Sequence, residues 1–378
     1  MPKLLIAGDI FPNDDNIKLF ESGDVETLFG DKIISLFKHS DSSIINLEGA
    51  LTDSNQPQIK VGPVLKSSPK SCNGLKALGV TAVSLANNHV TDYLKQGVAD
   101  TIDTLENNKI DHIGASIVPD ITDEYKSITI GNISICIYCV SEVFFNSPFV
   151  NIYDEYLVCK NISRLKQQHD YLVVLYHGGC ENYPYPTPSL RERFHRMADN
   201  GADFITAQHT HCIGCEESYN GSRLLYGQGN FLFTRQSKPI NREGLICELD
   251  FDCDKMNVIY HMVEVKSDGT VCLADSQNLD GFKSRSKEIL QEDFVFTKFK
   301  DYNTNRPILK KRYLRAFRGS SLEDKLFSCL SKQKYEQSLE HNYHKEHLIR
   351  IIFAMESDRM REDVLYMLKN LYEKCENN

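Results

Sequence analysis

Short apolar segments that each end in polar residues recur through the first 235 residues of the chain, and helical patterns follow several of them. Amphipathic spacing predicts helices over Val25–His39, Lys95–Asn108 and Leu190–Asn200. Strands that alternate with helices are typical of an α/β fold, which this order therefore predicts. The five segments end at Gly8-Asp9, Asn46-Leu47-Glu48, Asn87-Asn88-His89, His177-Gly178-Gly179 and Gln208-His209-Thr210-His211.

Nearly all of the polar residues at these strand ends are of types that bind metal ions. In open parallel sheets, ligands bind at the carboxyl ends of the strands, so side chains from successive strand ends can converge there. Carboxylates suit hard cations, whereas imidazoles suit zinc, iron or manganese. A mixed set of this kind suits two divalent ions that share a bridging carboxylate.

Each of these residues also has a plain structural explanation when it is taken alone. An Asp after a strand often caps the next helix, and Asn-Asn-His is a common turn sequence. A lone histidine near a core is usually hydrogen-bonded there without binding a metal. The prediction of a metal site therefore depends on the ordered set and not on any one of its members.

Composition restricts the classes of partner. The 378-residue chain is 41% hydrophobic and carries a formal net charge of -9. An acidic total argues against binding along a nucleic-acid backbone, which needs a basic face. No apolar stretch approaches the length of a membrane span, and the short N-terminal run Leu4–Ala7 does not resemble a signal peptide, so we expect a cytoplasmic protein.

The chain contains 12 cysteines, which we expect to be free thiols. Two CxxC pairs, Cys136/Cys139 and Cys212/Cys215, have the spacing of a four-thiolate zinc site. Cys136 and Cys139, however, lie in an apolar run that reads as a strand. Residues three apart in a strand face opposite sides, which argues against such a site.

The sequence changes character twice after the last of these strand ends. Short runs between Arg223 and Lys266 predict β-strands that form either a second sheet or a β-rich half of the same sandwich. From residue 281 onward, amphipathic patterns predict a helical C-terminal appendage, with residues 1–280 as the domain that contains the predicted metal site. The predicted helices span Leu322–Leu339, His344–Ala354 and Asp358–Glu373. His341, His344 and His347 are interpreted as part of a solvated face in preference to a metal site.

The ordered motifs resemble those of the bacterial capsule synthesis protein CapA family, of the poly-γ-glutamate capsule synthesis type. The resemblance covers residues 3–235 and is carried by the following motifs: Gly8-Asp9, Asn46-Leu47-Glu48, Asn87-Asn88-His89 with Asp92, His177-Gly178-Gly179 with Glu181, Gly201-Ala202-Asp203 before His209-Thr210-His211, and Leu225 to Phe231. This family is similar to the calcineurin-like metallophosphoesterases. The resemblance implies a metallophosphoesterase-like αββα sandwich.

The resemblance also implies roles for the candidate ligands. Asp9 and His211 would bind one ion, Glu48 would bridge, and Asn88, His177 and His209 would bind a second. The cofactor would be one or two divalent ions of manganese, zinc, iron or magnesium. Phe11 stands where calcineurin-like enzymes have a histidine, and Glu48 where they have an aspartate, so occupancy by a single ion remains an alternative.

A catalytic role for His89 follows from the same resemblance. His89 would either protonate the leaving group as an acid or stabilise the transition state. Asp92, three residues on, would be its partner, although Asp92 is equally placed to cap a helix. The candidates for substrate binding are Asn87, Glu181, Tyr183 and Arg235.

Three functions agree with these features. The first is hydrolysis of a phosphoester in a small cytoplasmic precursor, such as a saccharide phosphate, during capsule or surface-polysaccharide biosynthesis. The second is hydrolysis or transfer at a γ-glutamyl-type amide. The third is a non-enzymatic scaffold in polysaccharide assembly that meets a protein partner through its C-terminal helices.

Overall fold

The computed structural model describes residues 1–304, apart from 61, 120, 122–123, 143–147, 235–237, 253–254 and 275–278. The chain divides into two units, Met1–Phe299 and Lys300–Asn378, and the account below concerns the first. The three predicted C-terminal helices, with His341, His344 and His347, lie outside the described residues, and so does Arg235. The boundary near residue 280 remains a prediction.

The first sheet contains eight strands in the described part of the chain, and its centre is parallel. β1 pairs in parallel with β2, β2 with β5, and β5 with β6, while β14 joins the other edge of β1 in antiparallel orientation. In spatial order the strands are β16 (Val271–Leu273), β15 (Met256–Val265), β14 (Glu243–Phe251), β1 (Lys3–Ile10), β2 (Ser42–Leu47), β5 (Ala82–Ser84) and β6 (Asp111–Ile113), with β13 (Asn230–Leu232) pairing with β1.

The second sheet contains six strands among the described residues, and it too has a parallel centre. β9 lies between β8 and β10 and is parallel to both. In spatial order the strands are β11 (Glu216–Tyr219), β12 (Ser222–Leu225), β10 (Phe204–Gln208), β9 (Tyr171–His177), β8 (Ile133–Ser141) and β7 (Tyr125–Ile130). A separate two-stranded pair comprises β3 (Ala50–Leu51) and β4 (Lys66–Ser67).

Helices cover the outer faces of both sheets. α1 to α4 lie with the first sheet, and α5 to α8 with the second. The helices are α1 (Ile17–Ser22), α2 (Val25–Lys38), α3 (Cys72–Leu78), α4 (Leu94–Asn107), α5 (Glu155–Lys166), α6 (Pro188–Asp199), α7 (Asp280–Glu288) and α8 (Phe294–Thr304). Local sequence explains their starts: at α6, Thr187 accepts a hydrogen bond from the Leu190 amide and proline occupies the first turn.

The main core lies between the two sheets. Alternate residues of β8 and β9, such as Ile137 and Val173, face the first sheet, while their neighbours Tyr138 and Val174 pack beneath α5 and α6. This alternation follows from the period of two along a strand. The four-layered αββα sandwich that the family resemblance implies is therefore confirmed for Met1–Phe299.

The three helices expected from amphipathic spacing are confirmed as α2, α4 and α6, each within about two residues at either end. α2 is interrupted at Gly30, whose φ of 65° and ψ of 164° are not helical. The expected strands after Arg223 are present but do not form a sheet of their own. β12 joins the second sheet, whereas β14 and β15 extend the first.

The two CxxC pairs do not form a zinc site. Cys136 lies in the core beneath α5, whereas Cys139 lies in the core between the sheets. Burial raises the pKa of both thiols to about 12. Within the described residues, the side-chain groups close enough to share a metal ion contain no cysteine.

Candidate metal centre

Six candidate ligands lie where the carboxyl ends of the parallel strands of both sheets meet. Three come from the first sheet and three from the second. From the first sheet, Asp9 is the second-to-last residue of β1, Glu48 follows β2 and Asn88 follows β5. From the second sheet, His177 is the last residue of β9, and His209 and His211 follow β10. Because these ends face the same crevice, the fold brings together residues from five separate parts of the chain.

Two groups of ligand atoms result from this convergence. Asp9, Glu48 and His211 form one group, and Glu48, His177 and His209 form the other. In each group the atoms lie within 4.8 Å of one another. Glu48 belongs to both groups, which is the position of a bridging ligand.

Glu48 provides the test of whether a cation fits this place. Its side chain is fully buried, and neither carboxylate oxygen has a hydrogen-bond partner within the described part of the chain. Burial and the nearby Asp9 carboxylate raise the pKa of Glu48 well above its ordinary value. A buried carboxylate without donors is costly, and a divalent cation supplies the missing positive partner. The donor set therefore fits a metal ion.

Three imidazoles surround the same carboxylate. The Nε2 atoms of His89, His177 and His211 lie 3.9, 3.8 and 3.9 Å from Glu48 Oε1. These distances exceed those of a hydrogen bond, so the imidazoles do not satisfy the carboxylate directly. They leave a space among nitrogen and oxygen donors.

Two of the histidines from the second sheet, His177 and His209, are kept neutral by their surroundings, which is the state that metal binding requires. Burial, followed by the neighbouring imidazoles, lowers the pKa of His177 and of His209 well below the ordinary value. A neutral imidazole keeps a lone pair for a metal. Nδ1 of His209 is buried and has no hydrogen-bond partner among the described residues. His209 and His211 have φ of 80° and 53°, conformations that cluster at functional sites when non-glycine residues adopt them.

Asp9 and Asn88 are held by specific hydrogen bonds. Asn46 donates from Nδ2 to Asp9 Oδ1 at 2.8 Å, and the His209 amide donates to Asp9 Oδ2 at 3.0 Å. Asn88 Oδ1 lies 2.9 Å from His177 Nε2. The amide oxygen of Asn88 therefore lies beside the second group of ligands, as the resemblance implies.

His89 and Asp92 form a buried pair at the rim of the site. His89 Nδ1 lies 2.6 Å from Asp92 Oδ2, the contact proposed for a general acid and its partner. Asp92 does not cap a helix in this structure, which was the alternative role. Tyr93 precedes α4, which has no side-chain cap, and Asp92 instead accepts a hydrogen bond from the Leu65 amide at 2.6 Å.

Lys60 is a component of the site that the sequence patterns did not reveal. Its side chain is only 1% exposed, and its ammonium group pairs with the Asp92 carboxylate. Nζ also donates to the Asn88 carbonyl oxygen at 2.8 Å and lies 3.4 Å from His89 Nδ1. The available signal was weak: Lys60 is the one charged residue between Asp53 and Lys66.

The model of the bacterial capsule synthesis protein PGA_cap family matches residues 3–235, the segment that contains every candidate ligand described above. The chain belongs to this family. The resemblance indicated by the sequence motifs is therefore confirmed.

Two PGA_cap relatives show how far the similarity extends. The PGA biosynthesis protein CapA of Bacillus subtilis (strain 168) is 29% identical over 238 residues, which are 60% of this chain and 62% of that protein. The capsule biosynthesis protein CapA of Bacillus anthracis is 28% identical over 185 residues, 45% of this chain and 44% of that protein. The chain thus spans less than two thirds of the length of either relative.

The chain is also similar to a solved structure. A crystal structure described as a novel phosphatase from Mycoplasma pneumoniae is 14% identical, with coverage of 78% of this chain and 98% of that chain. The two superpose with a TM-score of 0.44.

The predicted substrate-binding residues of this PGA_cap chain lie in different places. Glu181 is half exposed, and its Oε1 lies 3.7 Å from His209 Nε2, so it borders the metal centre. Tyr183 is buried in an aromatic cluster with Tyr185 and Phe299.

Asn87 lies beneath the PGA_cap site and not in its wall. Its Nδ2 donates to the Leu47 carbonyl oxygen at 2.9 Å and to Asn46 Oδ1 at 3.2 Å. Its Oδ1 accepts from the amides of His89 and Val90 at 3.0 and 2.9 Å. All of its hydrogen-bonding positions are occupied, so Asn87 holds the turn that carries Asn88 and His89. This corrects the expectation that it binds substrate.

The described residues of the PGA_cap chain contain no helix that combines the length and the apolar composition needed to cross a bilayer.

Proposed function

We propose that the protein is a metal-dependent phosphoester hydrolase that acts on a small phosphorylated precursor, such as a saccharide phosphate, in capsule or surface-polysaccharide biosynthesis. The observation that carries the proposal is the buried Glu48 carboxylate, which lies without hydrogen-bond donors among the described residues and belongs to both groups of ligands. The family and the names of its relatives support the biosynthetic context.

The ligands divide between two ions as follows. Asp9 and His211 would hold one, Asn88, His177 and His209 would hold the other, and Glu48 would be shared between them. When bound, divalent ions in such a site polarise a phosphoryl oxygen and make water a nucleophile at neutral pH.

The chain itself contributes orientation and a proton. His89 lies at the rim with Nε2 toward Glu48, and Asp92 holds the opposite ring nitrogen at 2.6 Å. This geometry suits a group that donates a hydrogen bond or proton to the leaving oxygen of a substrate. Lys60 binds both the Asp92 carboxylate and the Asn88 carbonyl oxygen. These contacts hold His89, the proposed acid, and Asn88, a proposed ligand, in fixed positions relative to each other.

The test combines elemental analysis of the purified protein with a hydrolysis screen across sugar phosphates and nucleotide sugars. We expect bound divalent metal and activity that a chelator removes. Glu48→Gln should lose both, because the amide cannot bridge two cations. Glu264→Gln, on β15 away from the crevice, is the matched control and should lose neither. Full metal content and activity in Glu48→Gln would refute the proposal.

Amide hydrolysis or transfer at a γ-glutamyl-type bond is the second candidate, and the name of the Bacillus subtilis relative, a PGA biosynthesis protein, favours it. The same cations would stabilise the oxyanion of a tetrahedral intermediate. Assays of γ-glutamyl peptides in the same preparation distinguish the two. Release of glutamate without release of phosphate would favour the amide reaction, and metal binding without either would favour a scaffold.

A further inference from the structure

Asn230 is a fully buried side chain that contacts the metal centre from the first sheet but is not one of the predicted ligands. Its Nδ2 donates to the Asn241 carbonyl oxygen at 2.7 Å, and its Oδ1 lies 2.9 Å from Nδ1 of His211. A carbonyl oxygen can only accept a hydrogen bond, so the amide nitrogen of Asn230 must face Asn241. The orientation of the Asn230 amide is thereby determined.

The same reasoning determines the proton on His211. Because Oδ1 of Asn230 can only accept, Nδ1 of His211 must be the donor. A neutral imidazole protonated at Nδ1 has its lone pair on Nε2, and Nε2 is the atom that lies 3.9 Å from Glu48 Oε1. Asp9 Oδ2 is farther from Nδ1, at 3.4 Å, and already accepts from the His209 amide.

Asn241 completes a closed set of three hydrogen bonds. Its own Nδ2 donates to the backbone oxygen of His211 at 2.8 Å and to Asn182 Oδ1 at 2.8 Å. His211 is therefore held at its ring nitrogen by Asn230 and at its backbone by Asn241. This bonding accompanies the positive φ of His211, which most residues avoid.

We propose that Asn230 is a positioning residue that selects the Nδ1-protonated tautomer of His211, and that Asn241 holds Asn230 and the His211 backbone for this purpose. The set leaves Nε2 available to a cation that Asp9 and Glu48 would also hold, and it adds no further negative charge. The effect on the cation rests on the proposed function, whereas the tautomer itself is a property of the metal-free protein.

The first measurement uses NMR of isotopically labelled histidine ring nitrogens in the metal-free full-length protein, with the His211 signals assigned by their loss in His211→Gln. We expect a protonated Nδ1 and an unprotonated Nε2. The reverse tautomer in the wild-type protein would overturn the inference, whatever reaction the protein catalyses.

The second measurement compares binding of Mn²⁺ or Zn²⁺ by calorimetry. Asn230→Ala should weaken metal binding by about 10–100-fold, since partners that orient metal-bound histidines typically have effects of this size. Asn151→Ala is the matched control, because it removes a fully buried amide that donates to the Cys139 carbonyl oxygen and not to a candidate ligand. Unchanged affinity in a folded Asn230→Ala variant would also overturn the inference. If neither the wild type nor the variant bound metal, the proposed function would fail while the NMR result still decided the tautomer.

Discussion

Lys60 shows at the scale of a residue how the site depends on a buried ion pair. Its ammonium group and the Asp92 carboxylate are both withdrawn from water, with side-chain exposures of 1% and 0%. Lys60→Met should therefore destabilise the protein by about 3–5 kcal/mol, because it leaves a buried charge without its partner. The change is measured by denaturant unfolding.

The exposed pair between Lys126 and Asp111 provides the comparison. Lys126→Met should cost about 0–1 kcal/mol, since exposed ion pairs contribute little. Equal losses in the two variants would mean that Asp92 is adequately satisfied without Lys60.

A substitution at His89 should lower the rate of hydrolysis without lowering the metal content. His89→Ala should retain its metal but lose about 10²–10⁴ in rate on phosphoesters with poor leaving groups, the usual contribution of a general acid. Activated aryl phosphates need little protonation and should be affected less. The measurement is turnover on both substrate types together with elemental analysis. Equal loss on both would assign His89 to substrate positioning, and loss of metal would make it a ligand.

At the scale of elements, close backbone packing joins β13 to β14 beneath the site. A Cβ atom added at Gly244 would lie 1.9 Å from the backbone oxygen of Asn230, and the atoms of Asn230 nearest to it all belong to the backbone. Gly244→Ala should cost about 1–3 kcal/mol or more in stability, because backbone atoms cannot yield as a flexible side chain does. Thermal unfolding measures the loss.

Gly281→Ala in α7 is the matched control for this change. The added methyl group would lie 3.2 Å from Nη1 of Arg285, so a shift of only a few tenths of an ångström would accommodate it. Alanine also favours the helix, so this variant should be neutral or more stable by up to about 1 kcal/mol. A Gly244→Ala variant as stable as Gly281→Ala would show that β13 shifts freely.

The elements also show how far local sequence predicts this molecule. Leu4–Ala7 and Leu172–Tyr176 predict buried strands, and the polar residues that follow them predict a site at the strand ends. Periodicity within a segment carries no information about its neighbours, however. It could not place β14 beside β1, nor indicate that a loop would bring Lys60 to Asp92, because these contacts join residues far apart in the chain. Asn87 was misassigned for the same reason, since its hydrogen bonds to Asn46 and Leu47 depend on the pairing of strands.

At the scale of the whole molecule, metal binding should depend on pH through the carboxylates Glu48 and Asp9 and not through His177 or His209. Burial raises the pKa of Glu48 and of Asp9, so protons compete with the metal there, whereas the lowered pKa of His177 and His209 keeps those rings neutral. Affinity should rise as pH rises until Glu48 has lost its proton, by about tenfold per pH unit for one proton released.

Calorimetric titration with Mn²⁺ in buffers of different ionisation enthalpy measures both the affinity and the protons released. Glu181→Gln, which removes an exposed carboxylate beside His209, should retain this dependence. Affinity that stayed constant with pH, without proton release, would show that Glu48 is already ionised in the metal-free protein.

The site is assembled from strand ends of both sheets, and this has a consequence for how the chain acquires its structure. Asp9 and the His209 amide that bonds to it are 200 residues apart in sequence. Contacts between such distant residues form late in folding, because closing long loops must precede the gain from pairing. The ligands therefore come together only after β1 has paired with β2, β9 has paired with β10, and the two sheets have packed against each other. A cation can therefore bind only after the native structure has formed. Because its contacts are absent from the folding transition state, it should slow unfolding while leaving the rate of folding nearly unchanged.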